Sequence, residues 1–211
     1  MLFKDAHLEE PLCNLNFRWL FFEDYNNKDS LPFDLFHKAP NLECLKVQIC
    51  LGLKEIFPSQ KLQVNKTLLA RLKQLVLADL IHLERVGLEH SWVQPYFEKL
   101  QVLKLENCTR LQKVVSGMSF IDLKELHVKN CERMEYLFTS AIVKSWMKLE
   151  ILVLKNCESI KEIVKDEEGC DEMVFERLRS IKLNCLPRLE SFYSGTNCHF
   201  AMLIFEKRDG S

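Results

Sequence analysis

The sequence predicts an α/β solenoid: a stack of similar coils with a parallel β-sheet along a concave side and short helical or irregular segments on the convex side. Three observations lead there. A leucine-anchored segment recurs six times, the same positions within each recurrence are apolar, and the spacing of those positions changes period partway through the unit. Recurrence at intervals of a few tens of residues is the mark of a repeat architecture, in which each unit buries its apolar edge only against its neighbours.

The recurring segments are LECLKVQIC from Leu42, LKQLVLADL from Leu72, LQVLKLENC from Leu100, LKELHVKNC from Leu123, LEILVLKNC from Leu149 and LRSIKLNCL from Leu178. Their first leucines lie 30, 28, 23, 26 and 29 residues apart. With that leucine as offset 0, offsets 3, 5, 8, 11 and 14 are apolar or cysteine in all six units. One unit reads Leu123, Leu126, Val128, Cys131, Met134 and Leu137. This is the spacing of leucine-rich repeats.

The change of period dictates the shape of a coil. Offsets 3 and 5 alternate as on a short strand, one parity pointing into the core and the other outward. Offsets 8, 11 and 14 step by three, as expected of helical or 3₁₀-like winding where the chain turns back along the outer side. The expected organisation is one solenoid over residues 1–195, about seven repeats, followed by an irregular tail over 196–211. The first repeat, 12–41, is degenerate: Leu12, Leu15, Phe17 and Leu20 take offsets 0, 3, 5 and 8, and Glu23 and Asn26 break the next two. Ser30 is a candidate cap for a short outer helix with Pro32 at an early position, and Thr139–Trp146 reads as another.

Composition narrows the function. Forty-seven per cent apolar residues in 211 support a continuous core. Twenty-nine basic residues against 30 acidic ones give a net charge of −1, so no global field favours nucleic acid, and any charged recognition is local. No apolar run is long enough to span a bilayer. The opening MLFKDAHLEEPL lacks the form of a secretory signal, and nine cysteines in a chain of this length fit reduced thiols and a cytoplasmic location. Cys50, Cys108, Cys131 and Cys157 all fall at offset 8. None lies within the short spacing of a zinc-binding pair, so they are read as core.

No nucleophile elbow or metalloprotease helix is present, and the six histidines are scattered. The chain is therefore read as a non-enzyme without cofactor or metal. What remains is the outward parity of the strands. Offset 4 reads Lys46, Val76, Lys104, His127, Val153 and Lys182, and offset 6 reads Gln48, Ala78, Glu106, Lys129, Lys155 and Asn184. The candidate partner-binding face is Lys46, Val76, Lys104, Glu106, His127, Lys129, Val153, Lys155 and Lys182. Its lysines, on neighbouring strands, are expected to reinforce one another as a basic patch for an acidic partner; the other reading, which the sequence favours, is that they keep the open sheet soluble and disfavour stray pairing. Val102 and Ile151 at offset 2 add apolar contact area. Trp92 and Tyr96 in HSWVQPYF could anchor a partner, and the acidic run Asp166–Glu172 could engage a basic domain, but loop packing and a solvated loop are the favoured readings of these segments.

Residues 154–195, LKNCESIKEIVKDEEGCDEMVFERLRSIKLNCLPRLESFYSG, go beyond a generic repeat. Together with the pairs Asn107-Cys108, Asn130-Cys131 and Asn156-Cys157, each followed by LQKVV, MEYLF or IKEIV, and the acidic loop Asp166-Glu167-Glu168 before VFERL, they resemble the leucine-rich region of plant intracellular nucleotide-binding disease-resistance proteins of the coiled-coil class. The resemblance spans about residues 31–195. It implies a protein-interaction module of an innate-immune receptor, contributing to effector recognition or autoinhibition. The implied partners are a pathogen effector, a guarded host protein or the receptor's nucleotide-binding domain. None of the six glycines is followed by lysine, so no phosphate-cradling loop of the family's switch domain is present. The alternative is the substrate-reading repeat region of an F-box-type ubiquitin-ligase adaptor, which would need a helical F-box segment upstream; none is read in this chain.

Overall fold

The computed structural model describes residues 2–3, 17–26, 31–57, 69–87, 97–114, 120–140, 148–167, 173–195, 198–200 and 204–208. In chain order the elements are β1 (Leu2–Phe3), β2 (Trp19–Glu23), α1 (Phe33–His37), β3 (Cys44–Gln48), β4 (Gln74–Ala78), β5 (Val102–Glu106) and β6 (Glu125–Lys129). They continue with β7 (Phe138–Thr139), β8 (Ile151–Lys155), β9 (Glu162–Lys165), β10 (Met173–Phe175) and β11 (Ser180–Asn184). Last come β12 (Ser191–Tyr193), β13 (Cys198–Phe200) and β14 (Ile204–Arg208).

The main sheet has nine parallel strands in the order β1-β2-β3-β4-β5-β6-β8-β11-β14. Its register is unbroken from coil to coil: Leu45 faces Leu75, Leu75 faces Leu103, and the column runs on through Leu126 and Leu152 to Ile181. All six repeat positions of the five units from Leu42 to Ile163 are buried, as are Leu178, Ile181 and Leu183 of the last. Leu186, Leu189 and Phe192 pack against the core half-buried. A further buried column that the repeat alignment did not include precedes the strands, at Phe97, Phe120 and Phe175.

The chain turns where the period changes. The amide of Leu53 donates to the carbonyl of Cys50, and the same three-residue bond links Leu83 to Leu80, Leu111 to Cys108, Met134 to Cys131 and Leu189 to Leu186. The step of three is thus a single 3₁₀-type turn per coil. Beyond it the convex side is extended where helical winding was expected: β12, β9 and β7 form a three-stranded sheet, and β10 pairs with β13. In Glu162–Lys165 the adjacent Ile163 and Val164 are both buried, β-branched residues suited to a strand between neighbours. Helix is confined, among the described residues, to α1 and the single residue Ser140. Pro32, not Ser30, stands at the cap position of α1, with no side-chain capping bond; Ser30 and residues 141–147 lie outside the described residues.

Two boundary expectations are corrected. The first coil is shifted five residues: Leu20 faces Leu45 and Phe22 faces Val47, so Phe17, Leu20, Phe22 and Tyr25 hold offsets 0, 3, 5 and 8 in place of Leu12, Leu15, Phe17 and Leu20. An aromatic column substituted for leucines hid the repeat, and Phe22 meets Tyr25 and Phe36 edge to face at 5.8 and 6.4 Å. At the other end, 196–211 is not wholly irregular, because β14 adds to β11 as a further parallel strand. Lys207 stands opposite Leu183 there, and a lysine at an apolar position of the repeat removes the signal by which a unit is found.

Every strand from β2 to β11 in the main sheet is followed directly by a residue in the left-handed region. These are Asp24, Ile49, Asp79, Asn107, Asn130, Asn156 and Cys185, all at offset 7 with φ between 52° and 55°. Asparagine and aspartate tolerate this conformation best among residues with a side chain. They also bind along the stack: Asn107 Nδ2 donates to Asp79 Oδ1 (2.5 Å), Asn130 Nδ2 to Asn107 Oδ1 (2.5 Å) and Asn156 Nδ2 to Asn130 Oδ1 (2.8 Å). A carboxylate only accepts, so Asp79 can begin such a ladder but cannot extend it toward Ile49. Ile49, β-branched and 40% exposed, carries left-handed strain of about 1–2 kcal/mol.

Stability is expected to respond at Ile49 and Asn130 among these positions, and at Leu126 in the core. Leu126→Asp places an unpaired charge among residues with no solvent access and abolishes the cooperative thermal transition seen by circular dichroism; a wild-type transition would refute the register. Ile49→Asn raises the stability measured by urea unfolding by about 1 kcal/mol, whereas Asn130→Ala, which breaks the ladder at two bonds, lowers it by about 2 kcal/mol.

Candidate interaction surface

The register sets out the concave face as three rows. Lys46, Val76, Lys104, His127, Val153 and Lys182 stand side by side on β3, β4, β5, β6, β8 and β11. The second row is Gln48, Ala78, Glu106, Lys129, Lys155 and Asn184, and the third is Cys44, Gln74, Val102, Glu125, Ile151 and Ser180. Glu106, Lys155 and Lys182 are exposed, while Lys46, Val76, Lys104, His127, Lys129 and Val153 are half-buried by their neighbours. All nine candidate residues therefore share one face.

Their charges do not form one continuous patch. In the first row Val76 separates Lys46 from Lys104, and His127 with Val153 separates Lys104 from Lys182. Only Lys129 and Lys155 are direct neighbours. Lys129 Nζ lies 4.0 Å from Glu106 Oε1, and His127 Nε2 lies 3.1 Å from Glu125 Oε2 on the same strand. The field still extends between strands: burial pushes the Cys44 thiol up, and the charges of Lys46 and Lys104 act against that rise. On β8 and β11 the outward residues Ile151, Val153, Lys155, Ser180, Lys182 and Asn184 include no carboxylate, and on the next strand Glu206 stands opposite Lys182.

The shifted first coil adds residues that the sequence reading missed. Trp19 faces Cys44 and Phe21 faces Lys46, which puts two aromatic groups on the outward parity of β2. Trp19 is 64% exposed, and Lys46 Nζ sits 4.7 Å above the Phe21 ring, a cation–π contact. Gln48 Nε2 donates to Glu23 Oε1 at 2.8 Å. The available signal was the alternation Leu20, Phe22 in WLFFE, obscured by aligning on leucine alone. Trp92 and Tyr96 lie outside the described residues. Of the acidic run, Asp166 and Glu167 are described: Asp166 accepts from Ser140 Oγ at 3.0 Å, and its amide donates to Ser194 Oγ at 2.8 Å, so the start of that loop is tied to its neighbouring coils.

The cysteine column lies within the core. Cys50, Cys108, Cys131 and Cys157 are buried, and their thiols donate to the backbone of the strand just left, Cys50 to Gln48 O at 3.2 Å and Cys131 to Lys129 O at 3.4 Å. Cys108 and Cys157 also reach back one coil, to Leu77 O and Val128 O. Hydrogen bonding with the Cys108 thiol, together with burial, holds Cys131 protonated well above the ordinary thiol range. Burial pushes Cys157 up to about 12. Among the described residues no three histidine, cysteine or acidic side chains converge to hold a metal ion. No helix among them is long and apolar enough to cross a membrane.

A curved stack of parallel strands, with a polar and apolar mosaic on its sheet and its sulfur and leucine columns buried, defines a leucine-rich-repeat solenoid, in general a non-catalytic scaffold for protein interactions. The family described as plant disease resistance protein RPS2-like, leucine-rich repeats, matches residues 3–118 and 113–203. The chain belongs to that family, in agreement with the resemblance carried by its Asn-Cys pairs and inter-repeat loop. No curated protein and no solved structure gives a significant match.

The buried thiols impose a pH dependence. An acid whose pKa is higher in the folded than in the unfolded chain adds stability that is complete below the unfolded pKa, about 8.5, and is lost as pH rises toward the folded value. For Cys157 that window closes near pH 12. The melting temperature accordingly falls as pH rises above about 8.5, and falls less steeply in Cys157→Val, as a pH series of thermal scans will show.

Proposed function

We propose that this chain is the protein-interaction surface of a cytoplasmic plant innate-immune receptor and that it engages an acidic protein through the β6–β11 end of its concave face. The partner is a pathogen effector, a guarded host protein or the receptor's own nucleotide-binding domain, the last of these providing autoinhibition. The observation that carries the reading is the grouping of Lys129, Lys155 and Lys182 on adjacent strands around Ile151 and Val153, with no outward carboxylate on β8 or β11 themselves and with Glu106 of β5 and Glu206 of β14 at the edges of the group. Apolar groups flanked by like charges offer burial at the centre of a contact and electrostatic selection at its rim.

Stacked strands lie about 4.8 Å apart, within a Debye length of about 8 Å, so these lysines act on one partner together. Family membership supports the setting, and the fold leaves this face open to a partner. Charge reversal at Lys104, Lys129, Lys155 and Lys182 changes four side chains that fill no core position. Circular dichroism therefore stays at the wild-type spectrum. The variant loses the nucleotide-binding receptor domain or pathogen protein that the wild-type chain captures from infected plant extract, with affinity reduced roughly 100-fold. Capture of the same partners by both proteins would move the working surface elsewhere.

A further inference from the structure

A second polar surface lies away from the concave face, in the returning half of three successive coils. It is a cavity of about 510 Å³. The coil of β5 contributes Gln112 and Lys113, the coil of β6 contributes Arg133, Glu135 and Tyr136, and the coil of β8 contributes Ser159 and Lys165. Three cations thus face one carboxylate. Among the described residues, no ion pair neutralises Lys113, Arg133 or Lys165. Lys165 is held over Tyr136, its Nζ 5.1 Å from the ring centroid.

We propose that this cavity binds a small molecule carrying two or more phosphate groups. Its volume falls within the roughly 300–1,000 Å³ of small-molecule sites and exceeds what a single phosphate would occupy. Every lining side chain carries a polar or charged group, which selects a charged ligand over an apolar one. With three cations and one carboxylate, the lining carries a formal charge of +2, matched by groups that each carry about −1.5 to −2. Arg133 offers the planar fork that binds phosphate through two oxygens, and Lys113 and Lys165 supply point charges from coils on either side. The hydroxyls of Ser159 and Tyr136 and the amide of Gln112 are neutral donors for the remaining oxygens. Glu135 repels anions and sets a threshold: a monoanion gains little here, whereas a ligand spanning two or three of the cations overcomes it. Because the site draws on three coils, a bound polyphosphate also ties those coils together and stabilises the stack.

Isothermal titration of the full chain with fructose 1,6-bisphosphate, inorganic phosphate and a hexa-aspartate peptide tests the assignment. The bisphosphate binds at least tenfold more tightly than inorganic phosphate. Lys113→Glu with Arg133→Glu removes binding, the milder Lys113→Gln with Lys165→Gln weakens it at least tenfold, and Glu135→Gln tightens it severalfold. Lys155→Glu with Lys182→Glu on the concave face leaves it unchanged, which separates this site from the proposed protein surface. The proposal is overturned if the bisphosphate binds no better than inorganic phosphate, if the charge changes at Lys113, Arg133 and Lys165 leave its affinity intact, or if only the peptide binds.

Discussion

One backbone constraint organises the whole stack: at the end of each strand from β2 to β11 of the main sheet, a single residue enters the left-handed region and turns the chain out of the sheet. That turn limits each strand to five residues and brings the next residue, cysteine in four coils, down into the core. The amide of the turning residue is satisfied by the neighbouring coil; Asn107 N donates to Lys129 O and Asn130 N to Lys155 O. Where the side chain is asparagine, its amide adds a second bond along the same axis. The middle coils from Asp79 to Asn156 have this reinforcement, and Ile49 and Cys185 interrupt it on either side.

The same constraint separates structural from functional residues. Since the turn recurs at one offset, the parity of each strand is inherited by the next, and the inner positions become continuous columns of leucine, valine and isoleucine. The outer positions are then free to vary without disturbing the core. Aromatic groups gather at β2, mixed charges at β5 and β6, and lysines at β8 and β11, where Lys182 stands opposite Glu206 of β14. The thiols of Cys131 and Cys157 are removed from chemistry, because burial, and for Cys131 first the hydrogen bond with the Cys108 thiol, keeps them protonated. Surface ion pairs such as Lys73 with Glu43 at 3.2 Å join adjacent coils, but exposed pairs of this kind contribute about 1 kcal/mol or less. The stack is held by its apolar columns.

Much of this was legible in the chain itself. A strand and turn that recur with leucine at fixed offsets determine the coil, its inward residues and hence, by exclusion, its outward ones; all nine residues of the proposed face could be named from the alternation alone. Legibility failed where another residue type took a leucine's place. Phe17, Leu20, Phe22 and Tyr25 form an authentic first coil, yet aligning on leucine shifted it and concealed Trp19 and Phe21. The strand Ile204–Arg208 was missed because Lys207 stands at an apolar offset. The extended convex strands escaped because a step of three residues fixes one turn at the start of the return and leaves the conformation of the later residues open.

Sequence alone determined the repeat, the parity of the sheet, the burial of the four cysteines at offset 8 and the family signature, since each depends on residues close together in the chain or on a period shared by every unit. Tertiary structure decided which lysines become neighbours, because adjacency across the sheet joins residues 23 to 30 positions apart and places valine or histidine between charges that look contiguous as a column of letters. It likewise decided the asparagine ladder and the cavity of Lys113, Arg133 and Lys165, whose members meet only once three coils have stacked.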